Sequence, residues 1–263
     1  MREDIIVLLE WLSANGIQEI FDDLPPEEGC QSDIIKPTQD KSLDNVFSSL
    51  AKQQNALRQN GLLFNNLDKI RSLADGCNAI RDLVEIAEKT EYYSEKRKLA
   101  NNTIVFKGRE GAKILVINDL PSESDDLNND IFYGEPWELL KKMFGAIGAE
   151  EKDFSVVNSF FWRLAGGRSP IREELHICRP FVEKIISLAR PKIIVFMGNY
   201  SLSILSGENQ TIMKARGKFF DYTNAYLREN IPATGLYAPD FLLKNQNKKR
   251  DAWEDLQAIG KYL

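Results

Sequence analysis

No apolar run in this 263-residue chain approaches the roughly 18 residues needed to span a bilayer, so no membrane-crossing segment is expected. Cysteine is scarce. Cys30, Cys77 and Cys178 are odd in number and widely spaced, which argues against a disulfide framework and for a reducing, cytoplasmic setting. The short apolar run Ile5 to Leu9 is flanked by acids and followed by no small-residue cleavage site, so no secretory signal is expected. Histidine is nearly missing, His176 being the only one. Excess positive charge is missing too: the net charge is −5, which does not suggest a nucleic-acid binder.

The distribution of charge softens that last exclusion. Residues 1–60 hold 11 Asp or Glu and 5 Lys or Arg, a net of −6, so the rest of the chain sums to +1. A near-neutral body can carry a local basic face for phosphates. Its candidates are Lys244, Lys248, Lys249 and Arg250, with Arg163 and Arg168 upstream. The alternative is an ordinary solvated surface.

Apolar spacing predicts an amphipathic helix over 4–22, interrupted by Asn15-Gly16, and a linker over 24–45 with Leu-Pro-Pro and Lys-Pro-Thr. Residues 1–45 thus form an acidic helix and linker. Residues 46–100 read as a helical segment packing on the core, with turns near Asn60-Gly61 and Asp75-Gly76. From 101 to 263 the pattern becomes α/β. Strands are expected at 114–117, 154–157, 193–197 and, more weakly, 231–234, with helices over 136–147, 173–189, 200–206 and 247–262. Alternation of this kind implies a three-layer α/β/α domain around a parallel sheet of about four strands. Ligands in such folds bind beyond the strand C-termini. Attention therefore falls on 118–126, 158–168, Gly198 and 235–243.

Those segments carry a resemblance. The run from Asn158 through Trp162, Arg163, Arg168 and Cys178, then Arg190-Pro191-Lys192, Arg216-Gly217-Lys218, Tyr237-Ala238-Pro239, Lys249-Arg250 and Trp253-Glu254-Asp255-Leu256, resembles the iron–sulfur (family 4) uracil-DNA glycosylases. The likeness covers 101–263 well and 1–100 loosely. It implies a uracil-DNA glycosylase-like fold with a helical N-terminal extension, DNA as partner, hydrolysis of the deoxyuridine N-glycosidic bond in base-excision repair, and a monomer. A flipped base then needs an aromatic to stack on it, an amide to read its edge, an oriented water and a donor for the departing anion.

The resemblance gives each of those roles a residue. Asn158 reads the pyrimidine edge and Phe132 stacks. Asp119, in Asn118-Asp119-Leu120-Pro121-Ser122, stands where the family has a Glu that positions water. Arg163, Arg168, Lys244 and Lys249 contact DNA, and Leu242 lies in a loop that wedges into it. Ala238 occupies the position of the leaving-base histidine and brings no donor. Cys178 matches one cluster ligand and Cys77 another, but neither Ala74 nor Ile80 completes a Cys-x-x-Cys pair and Trp162 fills a third ligand position. No cofactor is therefore expected. Each retained residue also has a structural use. Asn158 can cap a strand end, Asp119 a helix, and Phe132 and Leu242 can be core. The second functional reading is a catalytically silent DNA- or protein-binding module.

Overall fold

The computed structural model describes residues 62–94, 98, 100–207 and 211–263. The expected helix at 4–22, the linker at 24–45 and the turn at Asn60-Gly61 lie outside them. The chain divides into two compact units, 1–66 and 67–263, and the sheet belongs to the second.

The most apolar runs become the centre of the sheet. β2 (Ile114–Asn118), β3 (Phe154–Asn158) and β4 (Ile193–Phe196) have every residue buried, as expected of parallel strands covered on both faces. β6 (Ile231–Gly235) completes a parallel set in the order β3-β2-β4-β6. Pro232 is tolerated in β6 because pairing with β4 begins one residue later, at Ala233.

Two antiparallel edge strands extend the sheet to six and lie outside the sequence expectation. β1 (Phe106–Lys107) pairs with β3, and β5 (Phe219–Tyr222) pairs with β6. β1 is two residues long, and β5 mixes exposed and buried positions, so neither makes a recognisable apolar run.

Helices α1 (Leu62–Asp75) and α2 (Ile80–Lys89) precede the sheet, separated by the expected turn at Gly76. The remaining helices are α3 (Glu123–Asn128), α4 (Glu135–Gly145), α5 (Arg172–Ala189), α6 (Asn199–Ser206), α7 (Ile212–Ala215), α8 (Pro239–Lys244) and α9 (Lys249–Ile259). The expected helices correspond to α4, α5, α6 and α9 with no end moved by more than three residues. The helix expected over 247–262 is a short α9 flanked by 3-10 turns at Gln246–Lys248 and Gly260–Tyr262.

The chain leaves β2 toward β3 on one side and later returns to β4 on the other. The loops after β2 and β4 therefore part at a topological switch point, where α/β sheets hold their ligands. No described helix is long and apolar enough to cross a membrane.

Candidate active-site crevice

The crevice begins with two amides. Asn118 and Asn158 end adjacent parallel strands in register, and Asn118 Nδ2 donates to Asn158 Oδ1 at 2.8 Å. Asn158 Nδ2 donates to the Ile104 carbonyl at 2.9 Å, and its backbone N–H to the Val105 carbonyl at 3.0 Å. Asn158 is fully buried. Both ends of its amide are thus engaged within the protein, and the residue ties three segments together.

Asp119 comes directly after Asn118. Its carbonyl accepts from Ser159 Oγ at 2.7 Å and from Phe160 N at 2.9 Å, which sets the backbone. Its carboxylate accepts from the backbone N–H of Ser201 at 2.7 Å and of Tyr200 at 3.3 Å, at the N-terminus of α6. A carboxylate there satisfies otherwise unpaired N–H groups and meets the positive end of the helix dipole. The residue keeps some exposed surface, yet its carboxylate is enclosed. Burial pushes its pKa above the ordinary value, opposed by the hydrogen bonds from residues 199–201. Gly198 makes the arrangement possible, since a Cβ there would lie 1.9 Å from Asp119 Cγ. The sequence marks Gly198 only as the residue after a strand; its partner across the switch point is invisible without the fold.

Pro121 is buried, and Ser122 and Asp125 cap α3 reciprocally at 2.9 and 3.2 Å. Asp125 Oδ1 also accepts from Tyr133 N at 2.7 Å. Lys107 anchors the same loop from the sheet edge. Its Nζ lies 2.7 Å from Asp130 Oδ2, 3.2 Å from the Ile131 carbonyl and 3.7 Å from the centre of the Trp137 ring. Phe132, held between these ties, has φ 54° and is 1% exposed. A positive φ is costly for a bulky residue and persists only where the surroundings enforce it.

Ala238 is the N-cap of α8 and supplies no side-chain cap, with Pro239 at the first helical position. Tyr237 stacks on Phe241 with centroids 4.8 Å apart, and the Arg216 guanidinium lies 5.2 Å from the Tyr237 ring centre. Arg216 Nε in turn donates to the buried Asp255 carboxylate at 2.8 Å.

Leu242, expected to wedge into DNA, is not the exposed residue of its helix. Leu242 is 1% exposed and packs inward, whereas Phe241 is 40% exposed. Leu242→Ala is expected to lower the melting temperature, as for any emptied core position. Phe241→Ala, which loses the stack on Tyr237, is expected to cost less, about 0.5–1.5 kcal/mol. Paired thermal melts check both.

Asp240 is half-buried at the start of α8. Burial raises its pKa above the ordinary 3.8, the Asp125 carboxylate adds to the rise, and Lys244 opposes it. A carboxyl raised in the folded state favours folding in acid and loses that contribution as pH climbs through the raised value. Asp240→Asn is therefore expected to raise the melting temperature at pH 7 and to leave it unchanged at pH 3. An equal shift at both pH values would contradict this.

The expected DNA-contacting cations divide. Arg168 forms a two-armed pair with buried Glu174 at 2.7 and 2.8 Å, and Arg163 pairs with Glu123 at 3.3 Å. Lys248 pairs with Asp251 at 3.3 Å and Arg250 with Glu254 at 3.7 Å. Lys244 and Lys249 stay exposed near the crevice-loop helix α8 and at the start of α9. Two open grooves of about 570 and 380 Å³ flank α2 and are lined by none of the crevice residues.

The described positions that match cluster ligands supply two thiols, Cys77 and Cys178. Cys77 is buried, with its thiol donating to the Leu73 carbonyl at 3.3 Å, and burial pushes its pKa up. Cys178 is buried on α5, and His176 sits half-buried on the same helix, outside the crevice loops. Among the described residues no three His, Cys, Asp or Glu side chains stand together as metal ligands. Trp162 is fully buried, and its Nε1 donates to Thr103 Oγ1 at 2.9 Å. With three cysteines in the whole sequence, this donor set does not fit a four-thiolate cluster.

Amide and carboxylate groups at the strand ends of the switch point, with a Tyr-Ala-Pro helix start following β6, make a ligand crevice of the α/β kind. The chain belongs to the uracil DNA glycosylase superfamily, whose family model matches residues 105–257. Within it, the chain is similar to the type-4 uracil-DNA glycosylase of Saccharolobus solfataricus, 28% identical over 63% of this chain and 79% of the relative. The type-4 enzyme of Sulfurisphaera tokodaii is 30% identical over 60% and 73%. That of Archaeoglobus fulgidus is 24% identical over 62% and 83%.

Proposed function

We propose that this protein engages DNA through the crevice and slowly hydrolyses the N-glycosidic bond of deoxyuridine, the first step of base-excision repair. The observation that carries this reading is the adjacency of Asp119 and Asn158 at neighbouring strand ends of the switch point. A carboxylate whose proton affinity is raised by burial orients a water, and the amide reads the pyrimidine. The water oxygen bonds to C1′ as the C1′–N1 bond breaks. The electron pair leaves on the base, and the water's proton passes to the carboxylate or to solvent.

Three features make the reaction slow. Asn158 must exchange its bond to Asn118 for one to the base. Asp119 already accepts two backbone N–H groups. Ala238 offers the departing anion no donor, and losing one such donor costs about 10²–10³ in rate.

Asn158 also supports the second reading. An amide with both ends bonded inside the protein suits a silent DNA- or protein-binding module. Single-turnover cleavage of single- and double-stranded DNA carrying one deoxyuridine separates the two. Cleavage by the wild type that falls at least about 10²-fold in Asn158→Ala supports the enzyme. No cleavage by either over hours at protein excess sinks it in favour of the module.

A further inference from the structure

Behind the crevice lies a closed group of aromatic rings. Tyr93, from the turn Glu91–Tyr93, sits 4.9 Å from Trp162, 5.6 Å from Phe181 and 6.4 Å from Phe161, measured between ring centres. Phe160 and Phe161 each lie 5.5 Å from Trp162. All five side chains are fully buried. Offset and edge-on geometries at these spacings are the favourable ones for aromatic pairs. Both polar handles are satisfied: Tyr93 Oη donates to the Ile177 carbonyl at 2.9 Å, and Trp162 Nε1 to Thr103 Oγ1.

The group is tied to the crevice by a short chain of bonds. Trp162 holds Thr103 at 2.9 Å, and Ile104 N donates to the Phe161 carbonyl at 2.8 Å. The Ile104 carbonyl then accepts from Asn158 Nδ2 at 2.9 Å, and the Val105 carbonyl from Asn158 N at 3.0 Å. The segment 103–105 is thus clamped to the rings on one side and sets the Asn158 amide on the other.

We propose that these five rings stand in for the family's iron–sulfur cluster. They bind no metal, fasten the 91–93 turn and α5 to the β3 loop, and through residues 103–105 make Trp162 a positioning residue for the Asn158 amide. The inference rests on family membership and on packing; it holds whether or not the protein hydrolyses deoxyuridine.

The test uses the full chain, reconstituted anaerobically with ferrous iron and sulfide and then desalted. Less than one iron per chain, no visible charge-transfer band and a melting temperature unmoved by chelator are expected. Stoichiometric iron and sulfide with chelator-sensitive melting would overturn the proposal. Trp162→Ala is expected to melt roughly 6–20 °C lower, from the usual cost of emptying a large core site, and melting with the wild type would overturn the stapling role. If that variant does not fold, Trp162→Phe decides. It keeps a six-membered ring and loses the pyrrole part of the indole with its donor to Thr103. It should fold and melt modestly below wild type, while the Asn158 side-chain amide protons, followed by NMR, exchange about tenfold faster, the loss expected for one hydrogen bond of ordinary strength. Unchanged exchange would overturn the positioning role.

Discussion

Ala238→His is expected to raise single-turnover cleavage of deoxyuridine DNA by up to about 10²–10³-fold over wild type. The position accepts the change. Ala238 has φ −64° and ψ 149° at the N-cap of α8, a conformation open to any L residue, and it is only half-buried. Pro239 already fixes the first helical turn, so an imidazole at 238 inherits a rigid base. Developing negative charge on a departing pyrimidine is where a preorganised donor acts most strongly. Ala238→Leu, of similar bulk and without a donor, should give no gain. A well-folded Ala238→His with unchanged cleavage would mean that the block lies upstream, in the internally bonded Asn158 amide.

The second large effect concerns Gly198. Its backbone is extended, with φ −159°, so glycine is not required there by conformation. Space requires it: a Cβ would stand 1.9 Å from both Cγ and Oδ1 of Asp119. Gly198→Ala must drive the carboxylate off the N-terminus of α6. Overpacking costs about 1–3 kcal/mol and a lost cap about 0.5–2 kcal/mol. The sum, roughly 2–5 kcal/mol, corresponds to a drop of about 4–20 °C in a domain of this size. Asp119→Ala removes the obstructing group, so the double variant should be less destabilised than the two single changes added together. A Gly198→Ala protein that melts with wild type would show that Asp119 does not sit against α6.

How much was legible in the sequence depends on whether a feature is local. The strands at 114–117, 154–157 and 193–197 announce themselves as unbroken apolar runs because both their faces are covered. β1 and β5, at the edges, have no such run and pass unseen. The bonds that fix the Asn158 amide reach 40 and 54 residues along the chain, and the loop enclosing Phe132 is tied down by Lys107, 24 residues before Ile131, so neither environment can be read locally. Asp119 shows the limit most clearly. A capping use is foreseeable from its chemistry, yet the helix it caps begins about 80 residues later. Leu242 and Phe241 are neighbours on a six-residue helix, and only the rotation of that helix decides which one faces solvent.

The bridge from Asp255 through Arg216 to Tyr237 gives the C-terminus an architectural part. α9 is a strut whose one buried anion neutralises the cation lying under the Tyr237 ring. Trimming the chain before Asp255 would strand Arg216 beneath that ring and loosen the loop that opens α8. A fusion handle placed at that end shares a mechanical line with the crevice.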